Sequence, residues 1–196
     1  ASMAQSGDTI VFLDGTYTLG AVAATSIPDG VDLMAQHTGA ATLTGSGDLL
    51  KLAGSTRIQG LEFKSFGHVV TFADGADATG RLTIEDTSFV NCSVACMDLP
   101  GAVEATVTSA TDAVVGNGGN GFALLTKTAK LKMNGGILQA FGATGVIRAT
   151  DDASVSLSDV QVLDGTGWVL VADKKSVAVL DGLTAATQSQ GIIQQK

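Results

Sequence analysis

The sequence predicts an all-β fold: a single-stranded parallel β-helix of about seven to eight coils, each of 22–26 residues with three short strands. Three observations carry this. Short segments alternate apolar and polar residues, the period of a strand with one buried face. They recur in a fixed order of three types along nearly the whole chain. Bend-forming pairs punctuate them, among them Asp14-Gly15, Asp29-Gly30, Asp74-Gly75, Asn134-Gly135, Asp164-Gly165 and Asp181-Gly182.

The first strand type reads "VDLMA" at Val31, "TRIQG" at Thr56, "RLTIED" at Arg81, "ATVTS" at Ala105, "KLKMNG" at Lys130, "SVSLSD" at Ser154 and "VAVLDG" at Val177. Its matching positions Val31, Thr56, Leu82, Ala105, Leu131, Val155 and Val177 are 25, 26, 23, 26, 24 and 22 residues apart. The second type follows as "ATLTG", "LEFKS", "SFVN", "AVVGN", "ILQAF", "VQVLD" and "LTAAT". The third closes each unit as "LLKLA", "VVTFA", "CMDLP", "FALLT", "VIRAT", "WVLVA" and "IIQQK". Each such strand exposes an apolar face, so a unit is stable only when stacked on its neighbours, with backbone ladders about 4.8 Å apart. A polar column, Ser65, Asn91, Asn117, Asp164 and Thr187, falls at the end of the second strand and predicts side-chain hydrogen bonds supporting that bend. The two prolines, in "IPDG" and "LPG", fall between units, where no ladder donor is lost. An antiparallel sandwich also has many short strands, but leaves the fixed order unexplained.

Composition narrows the function classes. Of 196 residues, 45% are apolar and only 15% charged, which excludes a disordered chain. Net charge is −8 and the largest basic cluster is Lys174-Lys175, so nucleic acid and anionic membrane surfaces are not expected partners. No apolar run approaches the roughly 20 residues of a membrane span, and "ASMAQSGDTI" lacks the pattern of a signal peptide. Cys92 and Cys96 leave two readings open: a pair of small buried thiols, or a disulfide if the chain turns sharply between them.

The stretch "SGDTIVFLDGTYT", residues 6–18, resembles the opening of right-handed parallel β-helix domains of the pectate-lyase-like superfamily, and "TRIQGLEFKSFG" resembles their repeat. The resemblance covers nearly the whole chain and implies fold before chemistry. It makes 1–196 one domain, expected to be a module of a larger protein, with residues 1–7 the remnant of an N-terminal cap. It also implies the chemistry of acidic-polysaccharide lyases: carboxylates holding Ca²⁺ near an Arg or Lys base, in a cleft walled by long loops.

The residues themselves argue against such a cleft, because 22–26 residues barely suffice for three strands and three turns. Asp86, Asp159 and Asp181 share one column, with Asp159 and Asp181 as neighbours, but no Asp-rich calcium loop appears. Asp151-Asp152 and Asp173-Lys174-Lys175 read as solvated turns, and His37 and His68 as surface residues without a nucleophile motif. "GNGGNG" at 116–121 lacks the Lys-Ser/Thr of a phosphate loop, and Thr42, Thr83 and Thr106 form no regular column. On the third strand, Lys51, Thr71, Asp98, Arg148, Leu170 and Gln194 are expected to point outward, with inward pairs such as Val169/Val171. Of these, Asp98, Arg148, Lys51 and Thr71 are the candidate ligand-binding residues. Beside them runs an apolar row: Leu49, Val69, Cys96, Phe122, Val146, Trp168 and Ile192. If it points outward, Trp168, Phe122, Val146 and Val69 form an interface stripe; if the chain bends there, they are core.

The functional expectation is therefore a non-catalytic extracellular or cell-surface module with a structural, adhesive or carbohydrate-binding role. The alternatives are an enzyme of the lyase or epimerase type acting on acidic polysaccharide, and an assembly domain packing through the Trp168 stripe. The partner is accordingly a polysaccharide or another subunit.

Overall fold

Alternation with a period of two sends every second side chain to one face. The computed structural model, which describes residues 4–142, 145–173, 175–186 and 190–195, stacks those faces into one column. It is a parallel β-helix of eight coils with three eight-stranded sheets. Sheet A stacks Thr9–Phe12, Asp32–Ala35, Thr56–Gln59, Thr79–Glu85, Ala102–Thr108, Lys130–Asn134, Ser154–Ser158 and Val177–Asp181. Sheet B stacks Gly15–Val22, Ala41–Gly47, Leu61–Lys64, Ser88–Cys92, Val114–Gly119, Ile137–Gln139, Gln161–Leu163 and Thr184–Ala186. Sheet C stacks Thr25–Ile27, Leu50–Leu52, Val70–Phe72, Met97–Leu99, Ala123–Leu125, Ile147–Ala149, Trp168–Ala172 and Gly191–Gln195. The only helix among the described residues is a single 3-10 turn, Gly75–Asp77, so no helix is long and apolar enough to cross a membrane. Residues 4–8 form a turn closed by Asp8 N–H on the Gln5 carbonyl, and Ala4 packs against the core. Residues 1–3 of the expected cap remnant, Lys174, Thr187 and Lys196 lie outside the described residues.

The columns explain the sequence position by position. In sheet A one inward row runs Ile10, Leu33, Ile58, Ile84, Val107, Met133, Leu157, Leu180, each paired with the next. In sheet B the row Leu43, Phe63, Phe89 is broken by Gly116 before Leu138. A Cβ on Gly116 would come within 2.9 Å of Leu138 and Phe141 and 3.1 Å of Phe122. The missing side chain leaves room that Phe122 and Phe141 fill from outside the sheet. Their rings continue the aromatic column, with centroids 5.6 Å apart for Phe63–Phe89, 5.9 Å for Phe89–Phe122 and 6.4 Å for Phe122–Phe141.

Single residues in the left-handed region turn the corners. Between sheets A and B these are Gly60, Asp86, Gly135, Asp159 and Gly182. Gly135 is obligatory, because a Cβ there would strike the Ser109 carbonyl. Between sheets B and C the left-handed residues are Ser65, Asn91, Gly118, Ala140 and Asp164. This corrects the expected polar column: Asn117 pairs with Val90 and Gln139, so Gly118 and Ala140 occupy the corner. What recurs is the backbone angle, not the side-chain chemistry. Pro28 and Pro100 open turns between sheets C and A, their carbonyls accepting from Val31 and Val103.

Two further registers differ from expectation. In the last coil Ala178, not Val177, pairs with Val155, and Asp181 pairs with Ser158. The phase was set by the valines, which point outward here. In sheet C, Leu170 pairs with Ile147 and is buried, while Val171 pairs with outward Arg148. "WVLVA" is apolar at every position, so alternation supplies no phase.

Thr56 tests the column argument. It is buried, and its Oγ1 has no hydrogen-bond partner among the described residues. The paired positions above it hold Leu82, Ala105, Leu131 and Val155. Thr56→Val keeps the shape and removes the orphaned hydroxyl. It is expected to stabilise the fold by about 1 kcal/mol, read as a higher urea midpoint with unchanged slope.

Candidate functional site

The outward row of sheet C brings together all four expected binding residues. It runs Ser26, Lys51, Thr71, Asp98, Leu124, Arg148, Val171, Gln194, one per coil. Lys51 and Arg148 are exposed, while Thr71 and Asp98 are half-buried. Thr71 Oγ1 donates to the Leu50 carbonyl at 3.0 Å. Asp98 and Arg148 are two ladder steps apart, roughly 10 Å, with Leu124 between them. They form no ion pair.

Asp98 has different neighbours from those expected. His68 lies at the bend before its sheet C strand, with Asp48 in the coil below. The Asp48 carboxylate accepts from the His68 backbone N–H at 3.0 Å and meets Nδ1 at 2.9 Å. That bond fixes the imidazole and leaves Nε2 for other partners. The His68 side chain is only 17% exposed, so it is not the simple surface residue expected. Burial pushes the Asp98 carboxyl above the ordinary carboxylate range; His68 opposes that rise and the charge of Asp48 adds to it. One carboxylate thus steadies an imidazole while a second carboxyl, close enough to feel both, holds its proton more firmly. The signal in the sequence was positional: Asp48 and His68 each stand two residues before a paired inward residue, Leu50 and Val70.

A disulfide braces the neighbouring corner. Cys92 and Cys96 are joined, with Cα atoms 5.2 Å apart, which settles the two open readings in favour of a bridge. The small loop closes immediately before the Asp98 strand, and Asn120 Nδ2 in the next coil donates to the Ser93 carbonyl.

The apolar row beside the site turns inward. Val69, Phe122 and Val146 are buried in the core, so they cannot form an exposed stripe; Trp168 is half-buried. Phe122 is drawn in by the space above Gly116. The register does not set Asp159 and Asp181, the carboxylates expected to be neighbours, opposite one another. The coil neighbour of Asp159 is Gly182 rather than Asp181, and no three His, Cys, Asp or Glu side chains converge among the described residues. No protein-family model matches the chain, and no curated protein matches it either.

The raised Asp98 carboxyl gives a test with a definite sign. A carboxyl whose folded value lies above its unfolded value of about 3.9 stabilises the fold at low pH, and loses that contribution as pH rises through the folded value. At neutral pH the charged, half-buried Asp98 therefore opposes folding. Asp98→Asn is expected to raise the melting temperature at pH 7 and to lose most of that advantage near pH 3. Thermal unfolding at both pH values checks this.

Proposed function

We propose that the chain is a rigid, non-catalytic β-helix module of a secreted or cell-surface protein that binds carbohydrate on the outer face of sheet C. The observation that carries this is the shape of the coils. The longest connection that lies wholly within the described residues, 73–78, has six residues, so no described loop is long enough to wall a cleft around Asp98. An open face binds through side chains in a fixed row, and Lys51, Thr71, His68, Asp98 and Arg148 supply donors and acceptors suited to sugar hydroxyls. The bridge between Cys92 and Cys96 supports an oxidising compartment. Eight three-stranded parallel coils, with the "SGDTIVFLDGTYT" stretch in the first, support membership of the pectate-lyase-like superfamily.

One observation favours a second reading, a polysaccharide-active enzyme. An imidazole steadied by one carboxylate, near a second carboxyl that burial pushes above the ordinary range, is a set of groups suited to acid–base chemistry. Among the described residues no loop encloses a substrate over these groups, which argues against a reaction shielded from water.

Retention on a panel of immobilised neutral and acidic polysaccharides separates these readings. Binding to at least one glycan is expected, weakened about tenfold by His68→Ala or Asp98→Ala, with no unsaturated product in solution. No retention on any glycan, or retention indifferent to both substitutions, contradicts the binding module. Product formation that disappears in both variants establishes the enzyme instead.

A further inference from the structure

The outer face of sheet A carries a separate feature. Along the seventh-coil strand the outward residues are small, Ser154 and Ser156. In the sixth coil the paired outward residues are Lys130 and Lys132; in the eighth they are Val177 and Val179. Short side chains between two taller rows leave a shallow groove of about 330 Å³. One wall carries Lys132 and the Lys130–Glu104 ion pair, with Thr106 beyond it; the floor carries hydroxyls and the other wall is aliphatic.

Two facts about this groove are unexplained by the fold. Val177 and Val179 take outward positions although they are 59% and 55% exposed, where polar side chains would cost nothing. Lys132 makes no ion pair with any described carboxylate, whereas its strand neighbour Lys130 meets Glu104 at 2.8 Å. Lys51, Lys127, Arg148 and Lys175 likewise form no ion pair among the described residues, but Lys132 stands on the strand that pairs with Ser154 and Ser156. It faces the groove that the valines border.

We propose that this groove binds a small amphiphilic carboxylate, its anionic head between Lys132, Ser154 and Ser156 and its aliphatic body against Val177 and Val179. The head accepts a charge-assisted hydrogen bond from the Lys132 ammonium and further bonds from the serine hydroxyls. The valines offer no hydrogen bond, so the ligand above them is apolar. From the lysine row to the valine row is two ladder steps, roughly 10 Å, which fits a medium-length alkyl chain. An added peptide strand does not fit, because both edges of Ser154–Ser158 are already paired and only side chains face outward. A second copy of the chain would bring a second net charge of −8 against the first.

Octanoate is the probe, titrated by calorimetry into the purified chain, with acetate and 1-octanol as controls lacking the body and the head. Octanoate is expected to bind more tightly than either control. Lys132→Gln should weaken it about tenfold and Val179→Thr about fivefold. Both positions point outward, so circular dichroism and melting temperature should stay those of the parent chain. Asp98→Asn, on a different sheet, should leave octanoate binding unchanged, which separates this site from the carbohydrate face. The proposal is overturned if octanoate does not bind, if either control binds as well, or if both groove variants keep the parent affinity. An oligogalacturonate that competes for the groove and binds more tightly than octanoate overturns the ligand class.

Discussion

The structure depends on one constraint: no coil can satisfy its own backbone or bury its own inward face. Each strand finds its hydrogen-bond partners only in the coils below and above. Each inward side chain is covered by the same position one coil away. The first and last coils show the consequence. Ala178 and Leu180, with a neighbour on one side only, stay partly exposed, although their paired residues Val155 and Leu157 are buried. Within the stack, one residue's size is therefore its neighbours' problem. Gly116 empties a place in the phenylalanine row, and Phe122 and Phe141 enter from the corner to fill it.

The same stacking gathers both sets of candidate residues from positions far apart in sequence. Asp48, His68 and Asp98 come from three successive coils, and the groove on sheet A from four others. Their relative positions are set by ladder spacing and register rather than by loops. That gives a rigid arrangement on an open surface. The geometry suits recognition by a fixed row of side chains more than enclosure of a reacting group, and this is why the carbohydrate-binding reading is preferred to the catalytic one.

Much of this was legible in the sequence, because a period of two repeated in fixed order encodes both strands and their stacking. Leu82, Ala105, Leu131 and Val155 were correctly aligned for that reason. The errors fall where alternation is silent. "WVLVA" has no polar residue to mark its outward face, so Leu170 and Val171 were exchanged. In "VAVLDG" the larger valines point outward, which displaced the last coil by one residue and paired Asp159 with the wrong neighbour. Corner residues share a backbone angle that Ser, Asn, Gly, Ala and Asp can all reach at differing cost, so Ala140 gave no sign of its role. The outward placement of Lys51, Thr71, Asp98 and Arg148 was legible because outward polarity is visible. Asp48 and His68 were missed because each looks like a loop residue until the coils are stacked.

The most direct test of the stacked-coil claim is a distance measured across it. Thr9 and Ser156 lie on the outer face of sheet A, in the first and seventh coils, six ladder steps apart. Spin labels on cysteines at these two positions, with the native bridge intact, should give one narrow distance near 29 Å by pulsed electron resonance. Labels at Thr83 and Ser156, three steps apart, should give about half of it. A broad distribution, or distances that do not scale with the number of coils between the labels, would contradict the stack.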